Sequence, residues 1–176
     1  MISQCFQSVA PLKTNFHRYP PFRPIHFTDG MSNTLAMSEV KAYTNRISGG
    51  SSAATYPATF PPPTSPTDLA GYSLAAFDPA KMTHSEWVDG KVHETGFTTV
   101  FTPNTLAAYP SGGIVYDVDF VTAGETSLGD TFAAVTSRSH HAGGVNALFM
   151  DGSVHFINND ISRQTWRSLG TRAGGD

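Results

Sequence analysis

Two apolar-rich runs, Val145–Met150 and Ser153–Ile157, flank the dipeptide Asp151-Gly152. Asp-Gly populates the positive-φ pair of a type I′ turn, and apolar runs on both sides of it are the strongest short-range hairpin signal a sequence carries. The C-terminal part is therefore expected to be an antiparallel hairpin with a two-residue turn. Beyond Asn158-Asn159-Asp160 the spacing predicts a short helix over Ile161–Leu169. Asn159 or Asp160 would cap it, Trp166 and Leu169 would share its buried face, and Gly170 would end it.

The rest of the chain reads mostly as strands and loops. Thr28-Asp29-Gly30 is a turn signal, and Thr34–Tyr43 after it reads as a strand. Thr95–Thr102 is a second, with Phe97 and Phe101 on one face and Val100 on the other, stopped by Pro103-Asn104. Ile114–Val121 is a third: Tyr116, Val118 and Phe120 share one face, Asp117 and Asp119 the other. Residues 1–24 show no clean period and read as a mostly irregular segment with room for one short element. Residues 44–70, rich in Gly, Ser and Pro, read as a long surface loop. The expected architecture is α+β: one domain over 25–176, dominated by antiparallel sheet, with a short C-terminal helix and long loops.

Charge restricts the partners. Charged residues make up 14% of the chain, against the roughly 25% usual for soluble domains, and the net charge is -3. No basic run is present, which argues against nucleic acid or anionic lipid as partners. No stretch approaches the ~18 apolar residues of a membrane span, and the first residues do not form a signal peptide. Cys5 is the single cysteine and reads as a small, semi-buried residue. The nucleophile elbow, phosphate loop, dinucleotide fingerprint and zinc-protease helix are all missing, and His93-Glu94 lacks the second histidine the last would need. The chain is expected not to be an enzyme.

Three groups of residues could carry chemistry. His140-His141 could reach Asp151 across the hairpin, giving a base or a metal ligand, but His141 could equally fix the loop that enters the hairpin. Asp117 and Asp119 point the same way from a strand and are calcium candidates, with a solvated strand face as the plainer reading. Asp29, Ser32, Asn33 and Glu39 can bond nearby main chain and shape a turn, with Glu39 also a partner for that loop or for Arg138. Trp87, Tyr116, Phe97 and Trp166 are expected in the core.

Several of these segments occur in an order that resembles a known group. His141 lies nine residues before Asp151-Gly152. Upstream are Asp29-Gly30-Met31-Ser32-Asn33-Thr34-Leu35 and Glu39, then Trp87-Val88-Asp89-Gly90, Gly96-Phe97-Thr98-Thr99 and Pro103-Asn104-Thr105. The tail reads Leu169-Gly170-Thr171-Arg172-Ala173-Gly174-Gly175. Together they resemble a bacterial family, abundant in planctomycetes, that shares a domain of unknown function and a prepilin-type, processing-associated H-x9-DG signature.

The resemblance implies a pilin- or pseudopilin-like structural subunit. It would belong to the cell envelope or to a type II secretion or type IV pilus-like apparatus, outside the cytoplasm. Its partners would be other pilin-like or secretion-system subunits. Attachment to a membrane would run through an N-terminal apolar helix that these residues do not encode, and the sheet that helix covers is expected to expose an apolar patch. The family motif residues carried over are Asp29, Gly30, Ser32, Asn33, Thr34, Glu39, His141, Asp151 and Gly152. No cofactor is expected apart from the calcium candidate. The alternatives are an extracellular solute- or glycan-binding module, with the 44–70 loop and Trp87 near its site, and a hydrolase using His141 and Asp151.

Overall fold

The computed structural model describes residues 2–5, 12–13, 22–48, 65–67, 76–121, 130–131 and 133–175, the first two stretches and 130–131 by main chain alone. Within these, strands β1 (Ile2–Cys5), β2 (Leu12–Lys13), β3 (Leu35–Glu39), β4 (Thr44–Ser48) and β5 (Met82–Thr83) precede helix α1 (Val92–Thr95). Then come β6 (Gly96–Phe97), β7 (Ala108–Ser111), β8 (Ile114–Val121), β9 (Asp130–Thr131), β10 (Ala133–Ala134), β11 (Gly144–Phe149), β12 (Val154–Asn158) and helix α2 (Arg163–Leu169). The fold is α+β and mostly antiparallel, as the sequence predicts.

The strands form two main sheets. One runs β12-β11-β3-β1-β6 and the other β10-β8-β4-β5, with β7 also paired to β8; β2 and β9 make a separate pair. Among the described strands β1–β6 and β4–β8 pair in parallel, and the isolated bridge Thr98–Thr136 is parallel too. Two expectations for the loops change here. Residues 2–5 are an inner strand of the first sheet, and Thr44–Ser48 is an inner strand of the second. Neither shows enough alternation to be read from its side chains; both are defined by main-chain pairing with distant strands. Residues 49–64 and 68–70 of the expected loop, and the side chain of Cys5, lie outside what is described.

The hairpin β11–β12 forms, but its turn is not type I′. Phe149 N–H donates to Ser153 O, and Gly152 N–H to Phe149 O. This is a three-residue loop, Met150–Gly152, with only Gly152 at positive φ (89°). Asp151 accounts for the difference. Its carboxylate accepts from Ser153 N–H (2.9 Å) and Ser153 Oγ (2.6 Å), a local cap that suits negative φ at Asp151. Helix α2 is capped by Ser162, which accepts from Thr165 N–H (3.1 Å), rather than by Asn159 or Asp160. Trp166 is fully buried and Leu169 packs beside it, as their spacing predicts.

Among the described residues two larger apolar clusters and one small one are buried. The first gathers Leu35, Val40, Phe97, Ala147, Phe149 and Trp166 between the first sheet and α2. The second gathers Ile47, Val100, Phe101, Ala107, Val118, Phe120 and Ala134 around the second sheet. The expected strand Thr95–Thr102 is thereby corrected. Only Gly96–Phe97 pairs as a strand, after the short helix α1. The chain then crosses between clusters, so Phe97 and Phe101 lie in different cores and Val100 lies with Phe101.

A buried strap, residues 135–139, leads from β10 of the second sheet toward the first. A buried non-sheet segment needs partners for its main chain, and these are visible. Thr98 N–H donates to Val135 O, Val135 N–H to Thr98 Oγ1, Asn104 N–H to Ser137 O, Arg138 N–H to Glu39 O, and Ser139 N–H to Asn104 Oδ1. The hydroxyls of Ser38 and Ser137 also bond to each other.

Where β11 meets β12 the strands leave no room above Gly144: a Cβ there would run into the Ile157 carbonyl. Gly144→Ala is therefore expected to lower stability by about 2 kcal/mol or more, read from urea unfolding. A loss below about 0.5 kcal/mol would show that the hairpin start is not this tight.

Candidate functional site

Arg138 reaches from the strap to β8 and is 2% exposed. Its Nε and Nη2 donate to the two oxygens of Asp117 (3.0 and 2.9 Å), a bidentate fork, while Nη1 donates to Asp119 Oδ1. Asp119 is fully buried; its other donors are Thr136 N–H (3.0 Å) and Thr83 Oγ1 (2.8 Å). Asp117 also accepts from Ala107 N–H (2.9 Å). Burial pulls the Arg138 pKa down, but the two carboxylates outweigh it and the net direction is up, so the guanidinium stays charged.

Asp117 and Asp119 do leave the strand on one side, where Asp119 is fully buried and Asp117 is only partly solvated. Every carboxylate oxygen of the pair receives a protein donor, and the positive charge beside them is Arg138. A calcium ion here would have to displace the guanidinium. Among the described residues, no group of three or more His, Cys, Asp or Glu is arranged to hold a metal ion.

Next to Asp119 is a polar cluster that the sequence analysis did not anticipate. His84 is buried at positive φ (57°), with Nδ1 3.0 Å from Glu94 O and Nε2 3.9 Å from Asp119 Oδ2. His93, in α1, lies 3.6 Å from Glu94 Oε1. Glu94 Oε2 accepts from Ser85 N–H and Glu86 N–H (both 2.9 Å), which pins the loop that follows β5. That self-bonded loop carries Trp87 outward. Trp87 is 78% exposed, which overturns its expected place in the core. Tyr116 is half-buried against Phe77, and Phe97 and Trp166 are buried as expected.

The motif residues fall into two clasps. His141 does not meet Asp151, whose carboxylate belongs to Ser153. The two sit at opposite ends of β11, about 20 Å apart at strand rise, so they share no cleft and the hydrolase arrangement is not formed. Instead His141 Nε2 lies 3.1 Å from Glu39 Oε1, and Glu39 Oε2 accepts from Asn146 N–H (2.8 Å). Burial raises the Glu39 pKa, but these partners more than offset it, and the net direction is down. The expected link of Glu39 to Arg138 exists only through main chain. His141 thus fixes the approach to the hairpin, helped by Ser139 Oγ, which donates to Gly144 O (2.6 Å) and accepts from His141 N–H (3.0 Å).

The second clasp joins two distant motifs. Asp29 accepts from Gly174 N–H (2.7 Å), Gly175 N–H (3.1 Å) and Thr171 Oγ1 (3.1 Å), and the Gly174 bond leads in holding its pKa down. Gly30 turns at φ 93°, and Asn33 and Thr34 side chains bond back to Asp29 O and Gly30 O. Thr34 also donates to Thr171 O. Ser32 is exposed on this turn.

Among the described residues one face of the first sheet is left uncovered at Val154 and Phe156, with Met37 and Leu148 half-buried on it. By register Met37, Leu148 and Val154 align across β3, β11 and β12, and Asn146 aligns with Phe156. Alternation places them opposite the Ala147–Phe149 side that packs on Trp166. A register shift between Leu148 and Phe149 lets Leu35 turn into that core although Met37 faces the other way. Val154 is 64% and Phe156 48% exposed.

Burial pushes the His93 pKa down to about 4, with the Arg46 charge adding to it, and burial also lowers that of His84. Unfolded, both would titrate near 6.5, so between about 4 and 6.5 the unfolded chain binds more protons. Stability is therefore expected to rise with pH across that window, by about 3 kcal/mol from His93 alone. Urea melts from pH 4 to pH 7 check this. His93→Gln is expected to flatten the slope, and an unchanged slope would place His93 in contact with water.

Comparison with known proteins adds one relation. The family model described as "Protein of unknown function (DUF1559)" matches residues 8–164, nearly the whole chain. Neither a curated protein nor a solved structure matches it. With its two sheets, its clasped motifs and this match, the chain belongs to the DUF1559 family of proteins of unknown function.

Proposed function

We propose that this chain is the globular part of a pilin- or pseudopilin-like structural subunit. It would serve the bacterial cell envelope or a type II secretion or type IV pilus-like apparatus, and act through protein–protein contacts. The observation that carries the reading is the open apolar face of the first sheet, with Val154 and Phe156 exposed beside Leu148 and Met37. Contiguous apolar surface of this kind is where a soluble domain receives another apolar element. The polar groups support the same view. The carboxylates that look reactive in the sequence are bound to Arg138, Ser153, His141 or main-chain amides, which fits fastening rather than turnover. On this reading the chain acts without catalysis or a cofactor. Among the described residues no helix is long and apolar enough to cross a membrane.

A second reading, an extracellular glycan- or solute-binding module, is favoured by one feature. Trp87 and Val88 project from the pinned loop at 78% and 75% exposure, and an exposed indole is a stacking surface for a sugar ring.

The two readings separate in cells carrying the complete gene. The structural reading expects the protein in the envelope or in sheared surface material. Leu148→Asp would cut that recovery at least about tenfold while changing stability by only about 1 kcal/mol. Equal recovery of Leu148→Asp, or wild type confined to the cell interior, would overturn it. A saccharide-dependent change in Trp87 fluorescence would favour the second reading.

A further inference from the structure

Among the described residues strand β12 is an edge of the five-stranded sheet, with β11 on one side only. Phe149 N–H donates to Ser153 O, and Asn159 N–H to Gly143 O. In an antiparallel ladder with unbroken register, Ser153, His155, Ile157 and Asn159 therefore turn their main chain toward β11. Val154, Phe156 and Asn158 turn theirs away. Asn158 O accepts from Ile161 N–H, but among the described residues no hydrogen bond reaches the main chain of Val154 or Phe156. Free donors and acceptors at strand spacing specify their occupant by chemistry: another extended strand.

Edges of this kind usually carry a device against pairing, such as Lys, Glu, Pro or a bulge. Between Gly152 and Asp160 this chain has none, since Ser153-Val154-His155-Phe156-Ile157-Asn158-Asn159 holds no Lys, Arg, Asp, Glu or Pro and β12 has no register shift against β11. An uncharged edge meets no like charge when it faces a copy of itself, although the chain as a whole is acidic. The edge is also continuous with the open face, because Val154 and Phe156 contribute side chains to that face and free main chain to the edge.

We infer that β12 is a self-association edge, which pairs antiparallel with β12 of a second copy about a two-fold axis at His155. In that register Val154 and Phe156 of one copy exchange main-chain hydrogen bonds with Phe156 and Val154 of the other. Their side chains form two reciprocal apolar pairs on the open face, and the two five-stranded sheets become one continuous sheet. The inference rests on the reading of the chain as an assembling subunit and names one of its partners. A short ladder with two apolar pairs falls below the ~1,200 Å² of a standard interface, so the dimer is weak, with Kd on the order of 0.1 mM.

Amide hydrogen exchange of the full chain, followed with sedimentation from about 10 μM to about 1 mM, tests this. Protection at Val154 and Phe156 is expected to rise about fourfold over that range as dimer appears, while His155 and Ile157 stay protected throughout. Val154→Pro removes only an outward N–H at the start of an edge strand, where proline is tolerated, and is expected to abolish both changes without lowering the melting temperature by more than a few degrees. A monomer at every concentration, or a dimer whose Val154 and Phe156 amides exchange freely, overturns the inference. In the latter case the assembling-subunit reading would stand through another surface; a monomer whose Leu148→Asp variant is also recovered normally from cells would remove both.

Discussion

A single guanidinium bridges the two sheets. Arg138 takes its side-chain partners from β8 in the second sheet, while its main-chain N–H is held by Glu39 at the end of β3 in the first. Removing Arg138 and Asp119 from water is costly, while Asp117 stays partly solvated, and a buried ion pair is weak evidence for net stability by itself. Its consequence is specificity. With Asp119 fully buried, any arrangement that draws Arg138 away leaves a carboxylate without its counter-charge, so alternative docking of the sheets is penalised. Thr83, Thr136 and the Ala107 amide complete the satisfaction of the pair, so the requirement extends to β5, the strap and the segment before β7.

Around that tie the remaining polar signatures act as fasteners. Asp29 holds the chain end through Gly174 and Gly175, Glu39 gathers His141 and Asn146, and Asn104 joins Gly144 O, Asn159 and Ser139. The low charge content follows from this economy: several of the few ionised groups are committed to internal bonds, and surface polarity falls to Ser, Thr, Asn and Gly. Beside this framework, Val154 and Phe156 of the first sheet are exposed.

What the sequence made legible was local. The hairpin, the terminal helix with its buried Trp166, and the alternation of Ile114–Val121 depend on residues within a few positions of each other, and all three are present. The turn type was missed because Asp-Gly is equally at home in a three-residue loop once Asp151 caps Ser153. Phe97 and Phe101 were separated by a crossing between cores that alternation cannot register. Trp87 lies outside because a loop pinned at Glu86 by Glu94, eight residues beyond Glu86, carries it there. The site was legible in its residues but not in its pairings. Asp117, Asp119, Glu39, His141 and Asp29 were all singled out, yet Arg138 lies 19 residues from Asp119 and Asp29 lies 145 from Gly174. The available signal was Arg138 itself, a lone charge in the run Ala133–Ser139 of a chain poor in charge, which implies a buried counter-charge.

The tie between the two sheets depends most directly on the coupling between Arg138 and Asp119. A double-mutant cycle of Arg138→Met and Asp119→Asn, read by urea unfolding at pH 7, measures it. Each single change is expected to cost about 3 kcal/mol or more, because each strands the partner group in the interior. The double variant should cost little more than the worse single, a coupling of about 2 kcal/mol or more. Strictly additive losses, with coupling below about 0.5 kcal/mol, would mean that Arg138 does not tie the sheets and would contradict the account.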